Sequence, residues 1–177
     1  MPKQESLDFT TAALILNEPK YWGGGTRIDW VQHGKPKNGF PPSYRAIASV
    51  DVMRNGKPQT PEDWQVSIYH HAGPNPEIPA KFSMSLVVGS TRICGIDDGP
   101  IGSHRNSPSL GQPFDGQLIG FPHLHLPVPG ATFGYAVPIE KSTMANHWTT
   151  FQTKIKMTGA PALLAPVSVP KQGDLLT

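Results

Sequence analysis

Lys81-Phe82-Ser83-Met84-Ser85-Leu86-Val87-Val88-Gly89-Ser90-Thr91-Arg92-Ile93-Cys94-Gly95-Ile96-Asp97 decides the fold. Phe82, Met84 and Leu86 alternate with Ser83 and Ser85, the period-two pattern of a half-buried strand. Gly89-Ser90 is a turn, and Thr91 to Ile96 is a second extended stretch, so residues 81–97 read as a hairpin. Upstream, Trp64, Val66, Ile68 and His70 alternate in the same way. Tyr44 to Met53 is rich in small and β-branched residues. Asn55-Gly56 after it is a strong hairpin signal, although the Pro-rich stretch that follows points to a longer loop. Thr26 to Gln32 reads as a strand with Ile28, Trp30 and Gln32 on one face. Residues 118–120, 123–128 and 134–139 are short strand pieces.

Two segments carry mixed signals. Residues 7–17 either open a strand or form a buried helical turn. In residues 142–157, Met144, Trp148, Phe151 and Ile155 make a helical stripe, with Ser142 as N-cap and Gly159 as stop. Phe151, Thr153, Ile155 and Met157 also alternate as a strand would. Helix is the reading adopted. The fold class expected is α+β: a mainly antiparallel sheet or partly closed barrel with one C-terminal helix. The expected core is Trp30, Val50, Val52, Val66, Ile68, Met84, Leu86, Ile93 and Ile96. A chain of 177 residues suits a single domain over 1–177, with 1–25 and 160–177 as peripheral extensions.

Composition agrees with short strands and many turns. Pro (20) and Gly (18) make 38 of 177 residues, and charged residues are only 16%, which excludes a helical bundle or coiled coil. A net charge of +2 gives no electrostatic case for a dedicated nucleic-acid binder. Cys94 is the only cysteine, so neither an internal disulfide nor a Cys-rich zinc site can form. Its apolar neighbours suit a small buried hydrophobe. The N-terminus lacks the apolar segment of a signal peptide, and no apolar run is long enough to span a membrane. The expectation is a cytoplasmic protein with no membrane contact.

The chemistry gathers around histidines. Pro122-His123-Leu124-His125 places two imidazoles at i and i+2, on one face of a strand and about 6.5–7 Å apart at Cα. His104 lies in the long Gly/Pro/Ser-rich loop that precedes them. With Asp97, these three could hold Zn²⁺ or a similar divalent ion and leave a position for water. Asp97, Asp98 and Asp115 could also accept hydrogen bonds that orient the rings. A metal-free reading uses the same rings as general acid and base, with Arg92 or Arg105 on a phosphate, to cleave RNA. The catalytic candidates are therefore His104, His123, His125, Arg92 and Arg105, and the metal candidates His104, His123, His125 and Asp97. His70-His71 suits a structural or surface role, and His33 and His147 have no supporting context. Trp22-Gly23-Gly24-Gly25 lacks the Gly-Lys-Ser/Thr of a phosphate loop, and Gly102-Ser103-His104 lacks the second Gly of a nucleophile elbow. Pro127 and Pro129 cannot donate to a ladder, so the strand of the His pair should be an edge strand or end by Leu126.

Arg92-Ile93-Cys94-Gly95-Ile96-Asp97, His104-Arg105-Asn106-Ser107-Pro108, Pro122-His123-Leu124-His125 and Tyr135-Ala136-Val137-Pro138 follow one another in that order. In this the chain resembles a family of small uncharacterised bacterial and prophage-borne proteins with a His-x-Asn loop before a Pro-His-Leu-His strand. It departs from that pattern after the His pair, where Leu126-Pro127 replaces a Tyr. It departs also in the loop, where Asp115-Gly116 comes only after an insertion. The resemblance implies the site location and a β-rich fold with a helix; its prophage setting implies a toxin or a protein that blocks a host defence. Two functions therefore stay open. One is a small hydrolase, metal-dependent or a His/His acid–base phosphodiesterase or ribonuclease. The other is a non-catalytic phage or mobile-element binding protein that meets a protein partner through Pro-rich loops and Trp22, Tyr44 and Phe121.

Overall fold

Period-two alternation does build a large sheet. The computed structural model describes residues 7–34, 41–75 and 77–166. Residues 1–6, most of the expected 34–43 loop and the tail beyond 166 lie outside the described residues. In chain order the elements are α1 (Phe9–Asn17), β1 (Lys20–Trp22), β2 (Val31–His33), β3 (Ser43–Arg54), β4 (Lys57–Gln59), β5 (Trp64–His71) and β6 (Lys81–Val88). There follow β7 (Thr91–Asp98), β8 (Ser103–Arg105), β9 (Leu118–Gly120), β10 (His123–Val128), β11 (Ala131–Pro138), α2 (Met144–Lys154) and β12 (Met157–Thr158). Ten strands form one sheet along β11-β10-β7-β6-β5-β3-β1-β12, with β2 and β4 also paired to β3. All pairings are antiparallel except β1 with β12. β8 and β9 form a separate two-stranded ribbon. The sheet stays open, so the fold is the α+β sheet and not a closed barrel.

One face of the sheet is apolar. Val50, Val52, Val66, Ile68, Met84, Leu86, Ile93, Ile96 and Leu124 are buried there with Ala12 and Ile15 of α1 and Trp148 and Phe151 of α2. Cys94 joins this layer, and burial pushes its thiol up to about 12, which keeps it unreactive at neutral pH. Of the expected core, only Trp30 is merely half-buried, packed against its edge.

The structure settles the open reading of residues 7–17 and corrects three others. Residues 9–17 are helical because Asp8 caps the first turn, accepting from Thr11 N at 3.0 Å, and Ala12 and Ile15 fall on one buried face. Of the strand expected over 26–32 only Val31 and Gln32 pair; with His33 they form β2, opposite Arg45, Tyr44 and Ser43 of β3. The strand of the His pair is not an edge. β10 lies between β7 and β11, leaves β7 after His125 and continues beside β11 to Val128. Pro127 is accommodated by a register shift between Leu126 and Val128, where its missing N–H breaks no ladder bond. Residues 144–154 are helical, as expected, but the N-cap is Thr143, one residue after Ser142.

Candidate metal centre

Cross-strand register assembles the site on the sheet face opposite the helices. Asp97 of β7 lies directly opposite His123 of β10, and His125 lies opposite Gly95. His123 and His125 share a face because they are two residues apart on a strand. Arg92 would fall on the wrong face by simple alternation with Asp97. A bulge corrects this: Val87 pairs with Arg92 and Leu86 with Cys94, so Ile93 is the extra residue. Ile93 and Cys94 then both enter the core, and Arg92 turns toward Asp97.

The side chains meet tightly. Arg92 grips Asp97 with both terminal nitrogens, Nη1 to Oδ2 at 2.8 Å and Nη2 to Oδ1 at 3.0 Å. Asp97 Oδ2 is 3.1 Å from His125 Nε2 and 3.5 Å from His123 Nε2, and the two Nε2 atoms are 3.0 Å apart. His123 Nδ1 donates to the Gly120 carbonyl at 3.1 Å, which leaves a lone pair on Nε2 of the neutral ring. His125 Nε2–H is then shared between His123 Nε2 and Asp97. Its Nδ1 has no partner among the described residues. Both rings are buried.

Burial alone would raise the Asp97 carboxyl, but the hydrogen bonds from His125 and Arg92 and the Arg92 charge outweigh it. They hold the group well below the usual carboxylate range. Burial is the main cause that lowers His125, against the opposing pull of Asp97. His104 is lowered chiefly by burial as well, so its ring is neutral at pH 7.

His104 is brought to the cluster by the β8–β9 ribbon. Its ring centroid lies 4.9 Å from that of His125 and 6.2 Å from that of His123. Asn106, two residues on, fixes the ribbon in place. Its side-chain amide accepts from Ala136 N at 2.7 Å and donates to Ala136 O at 2.8 Å, replacing a neighbouring strand along β11. Phe121 covers His123 with ring centroids 5.1 Å apart.

The structure therefore gathers His104, His123, His125, Asp97 and Arg92. It does not bring in the other candidates. Arg105 follows His104 on a strand, so it faces the other way, is exposed and donates to the Gly116 carbonyl at 2.9 Å. Asp98 follows Asp97 and points to the helix side, toward His147. Asp115 braces its own loop by accepting from Leu110 N at 2.6 Å and Gln112 N at 3.2 Å. His71 is structural, its Nδ1 2.8 Å from Ser43 Oγ. Two contributors escaped the sequence reading. Asn106 stood out only in a pattern of resemblance, and Gly95 gave no signal short of the cross-strand register.

Among the described residues one set of three or more potential ligands lies with its donor atoms within 4.8 Å of one another: Asp97, His123 and His125. These three can hold a metal ion; His104 stands beside the set. No protein-family model, curated protein or solved structure matches the chain.

Proposed function

We propose that the protein is a small hydrolase with one divalent metal ion held by Asp97, His123 and His125. One observation carries this reading. The three donor atoms form a triangle with edges of 3.0, 3.1 and 3.5 Å. An ion about 2.0–2.1 Å from each donor needs edges of about 2.9 Å in an octahedron and about 3.3 Å in a tetrahedron. The triangle's edges bracket the tetrahedral value, and the two shorter ones lie just above the octahedral value. Two imidazoles and a carboxylate with open positions suit Zn²⁺ in a hydrolase, where the ion would supply an acidic bound water.

The chain's own groups have matching roles. The hydrogen bond from His123 Nδ1 to Gly120 aims the ring. Arg92 holds the Asp97 carboxylate in place and offsets its charge. His104, neutral at pH 7, stands where it can take a proton from a water at the cluster. Arg92 is already paired with Asp97 through both terminal nitrogens, and Arg105 faces away from the cluster. That weakens the metal-free ribonuclease reading. Phosphodiesters remain the first substrate class to assay.

The second reading is the non-catalytic binding protein. It is favoured by the way Arg92, Asp97 and His125 satisfy one another with no ion, as a polar clamp between β7 and β10. Metal analysis of the purified protein separates the two. The expected result is about one equivalent of zinc or a similar ion, lost in both His123→Ala and His125→Ala. Hydrolysis of a phosphodiester should disappear with it. A metal-free protein that stays inert when zinc is added removes the enzyme and leaves the clamp.

A further inference from the structure

Strand register lays a line of small side chains across the sheet face turned away from the helices. Ile47 of β3 lies opposite Ser67 of β5, and Ser67 opposite Ser85 of β6. Ser85 lies opposite Gly95 of β7, and Gly95 opposite His125 of β10. The rows on either side carry longer groups, Tyr69 on one and Gln65 and Val87 on the other. The serines and the glycine therefore floor a shallow trough that ends at the candidate metal centre. From Ile47 to His125 it crosses four strand spacings, about 19 Å. Arg45 stands at the far end. Its Nε donates to Ser67 Oγ at 3.2 Å, which leans the side chain over the trough. It forms no salt bridge among the described residues. Arg45 also lines a cavity of about 360 Å³ with Val31, His33 and Ile47. Asp29 in the same wall is already paired with Arg27 at 3.0 Å. Val31 and Ile47 are 66% and 53% exposed, so apolar surface stands beside the cation.

We propose that this trough binds a single-stranded oligonucleotide, with one phosphate on Arg45 and the chain running over Ser67 and Ser85 to His125. This names the substrate class of the hydrolase and rests on that reading for its chemistry, though not for its binding. A guanidinium beside serine hydroxyls is a phosphate-gripping set, one charged planar donor with neutral donors next to it. The exposed Val31 and Ile47 side chains offer apolar contact to a base. The length of the trough takes about four nucleotides, the short end of single-strand footprints. So short a site needs one fixed cation and no broad basic surface, in keeping with a net charge of +2. An extended peptide fits less well. β5, β6 and β7 each have neighbours on both sides, so no backbone edge is free to pair with it.

NMR titration of the full chain with tetrathymidylate, without added metal, reads the binding. Amide resonances of Ile47, Ser67 and Ser85 should shift, and those of α1 and α2 should not. Arg45→Gln should weaken binding by about tenfold or more, the usual size of a lost hydrogen bond to a charged group. Ser85→Val, which fills the trough and leaves Arg45 in place, should weaken it as well. A tetra-aspartate peptide, anionic but without bases, should bind less tightly. The absence of shifts up to about 5 mM tetrathymidylate would overturn the proposal. So would unaltered binding in Arg45→Gln, or tetra-aspartate bound as tightly. If a variant does not fold, the contrast between the two ligands on the unsubstituted protein decides alone. Hydrolysis is read separately, with zinc added. Arg45→Gln should raise KM for tetrathymidylate by a similar factor. It should leave bis(p-nitrophenyl) phosphate, too short to reach Arg45, unchanged. Binding of tetrathymidylate with neither ester cleaved removes the hydrolase and keeps the trough. Cleavage of both with KM unmoved in Arg45→Gln keeps the hydrolase and overturns the trough.

Discussion

Gly95 shapes the candidate metal centre by what it lacks. A β-carbon there would sit 2.3 Å from Arg92 Nη2, 2.4 Å from Arg92 Nε and 2.6 Å from the Met84 carbonyl. The Arg92 side chain crosses that space to reach Asp97. In a strand, replacing Gly with Ala ordinarily stabilises by about 0.5–1 kcal/mol. Here the sign should reverse. Gly95→Ala must move Arg92 off Asp97, which leaves the carboxylate facing two histidines with no fixed cation, and it must also shift β6 backbone. A loss of about 2–4 kcal/mol is expected by urea denaturation, the size of an overpacked core site that also breaks a buried pair. A change within about 0.5 kcal/mol would mean that Arg92 has room to spare and that its grip on Asp97 is incidental.

At the scale of elements, Lys20 joins the two helices. Lys20 is 1% exposed, and its ammonium faces the backbone carbonyls of Ile15, Leu16, Glu18 and Ile155 within hydrogen-bond reach. The first three lie at the C-terminal end of α1 and the last is the C-cap of α2, so the negative ends of both helices converge on one cation. Burial pulls the Lys20 ammonium down to about 8, so it is still mostly charged at neutral pH. Lys20→Met keeps the length and removes the donors; it should cost about 2–4 kcal/mol, with loss of helical circular dichroism. Retention of full stability would show that the carbonyls are satisfied by water instead. This clamp also explains why α1 was hard to see in the sequence. Residues 9–17 are apolar enough to pass for a strand, and what favours the helix is a cap at Asp8 and a lysine beyond its end. The β6–β7 hairpin was legible because alternation and a Gly-Ser turn sit within one short stretch. Asn55-Gly56 was legible as well, both residues with positive φ (53° and 72°), and β4 follows at once without the longer loop expected. At the site, His123, His125 and Asp97 were visible as residue types at strand spacing. The exclusion of Arg105 and Asp98 depends on strand parity, and the inclusion of Arg92 depends on a bulge that no local pattern marks.

Across the whole molecule, imidazoles are buried on both faces of the sheet, and this sets how stability responds to acid. His70 and His147 lie on the helix side, and His104 and His125 at the candidate metal centre. All four are lowered from 6.5, with burial the first cause in each. A lowered folded-state value means that, as pH falls through 6.5, the unfolded chain takes up protons before the folded one does. Stability therefore falls with falling pH across that window. Asp97 acts further down: its folded value is depressed, so the stability it provides is present above the unfolded value of 3.8 and is lost only below it. Lys20, lowered from 10.5 to about 8, makes stability rise with pH between those values. All three contributions have the same sign, so the protein should be acid-labile and most stable on the alkaline side of neutrality. Thermal melts in the presence of a chelator, from about pH 7.5 to about pH 5.5, should show Tm falling steadily. His147→Gln, which touches no proposed ligand of the metal, should flatten part of that slope by removing one of the four imidazoles. A Tm that holds or rises toward pH 5.5 would mean that the buried rings gain protons on folding, and that Asp97 and Asp98 outweigh burial at both faces of the sheet.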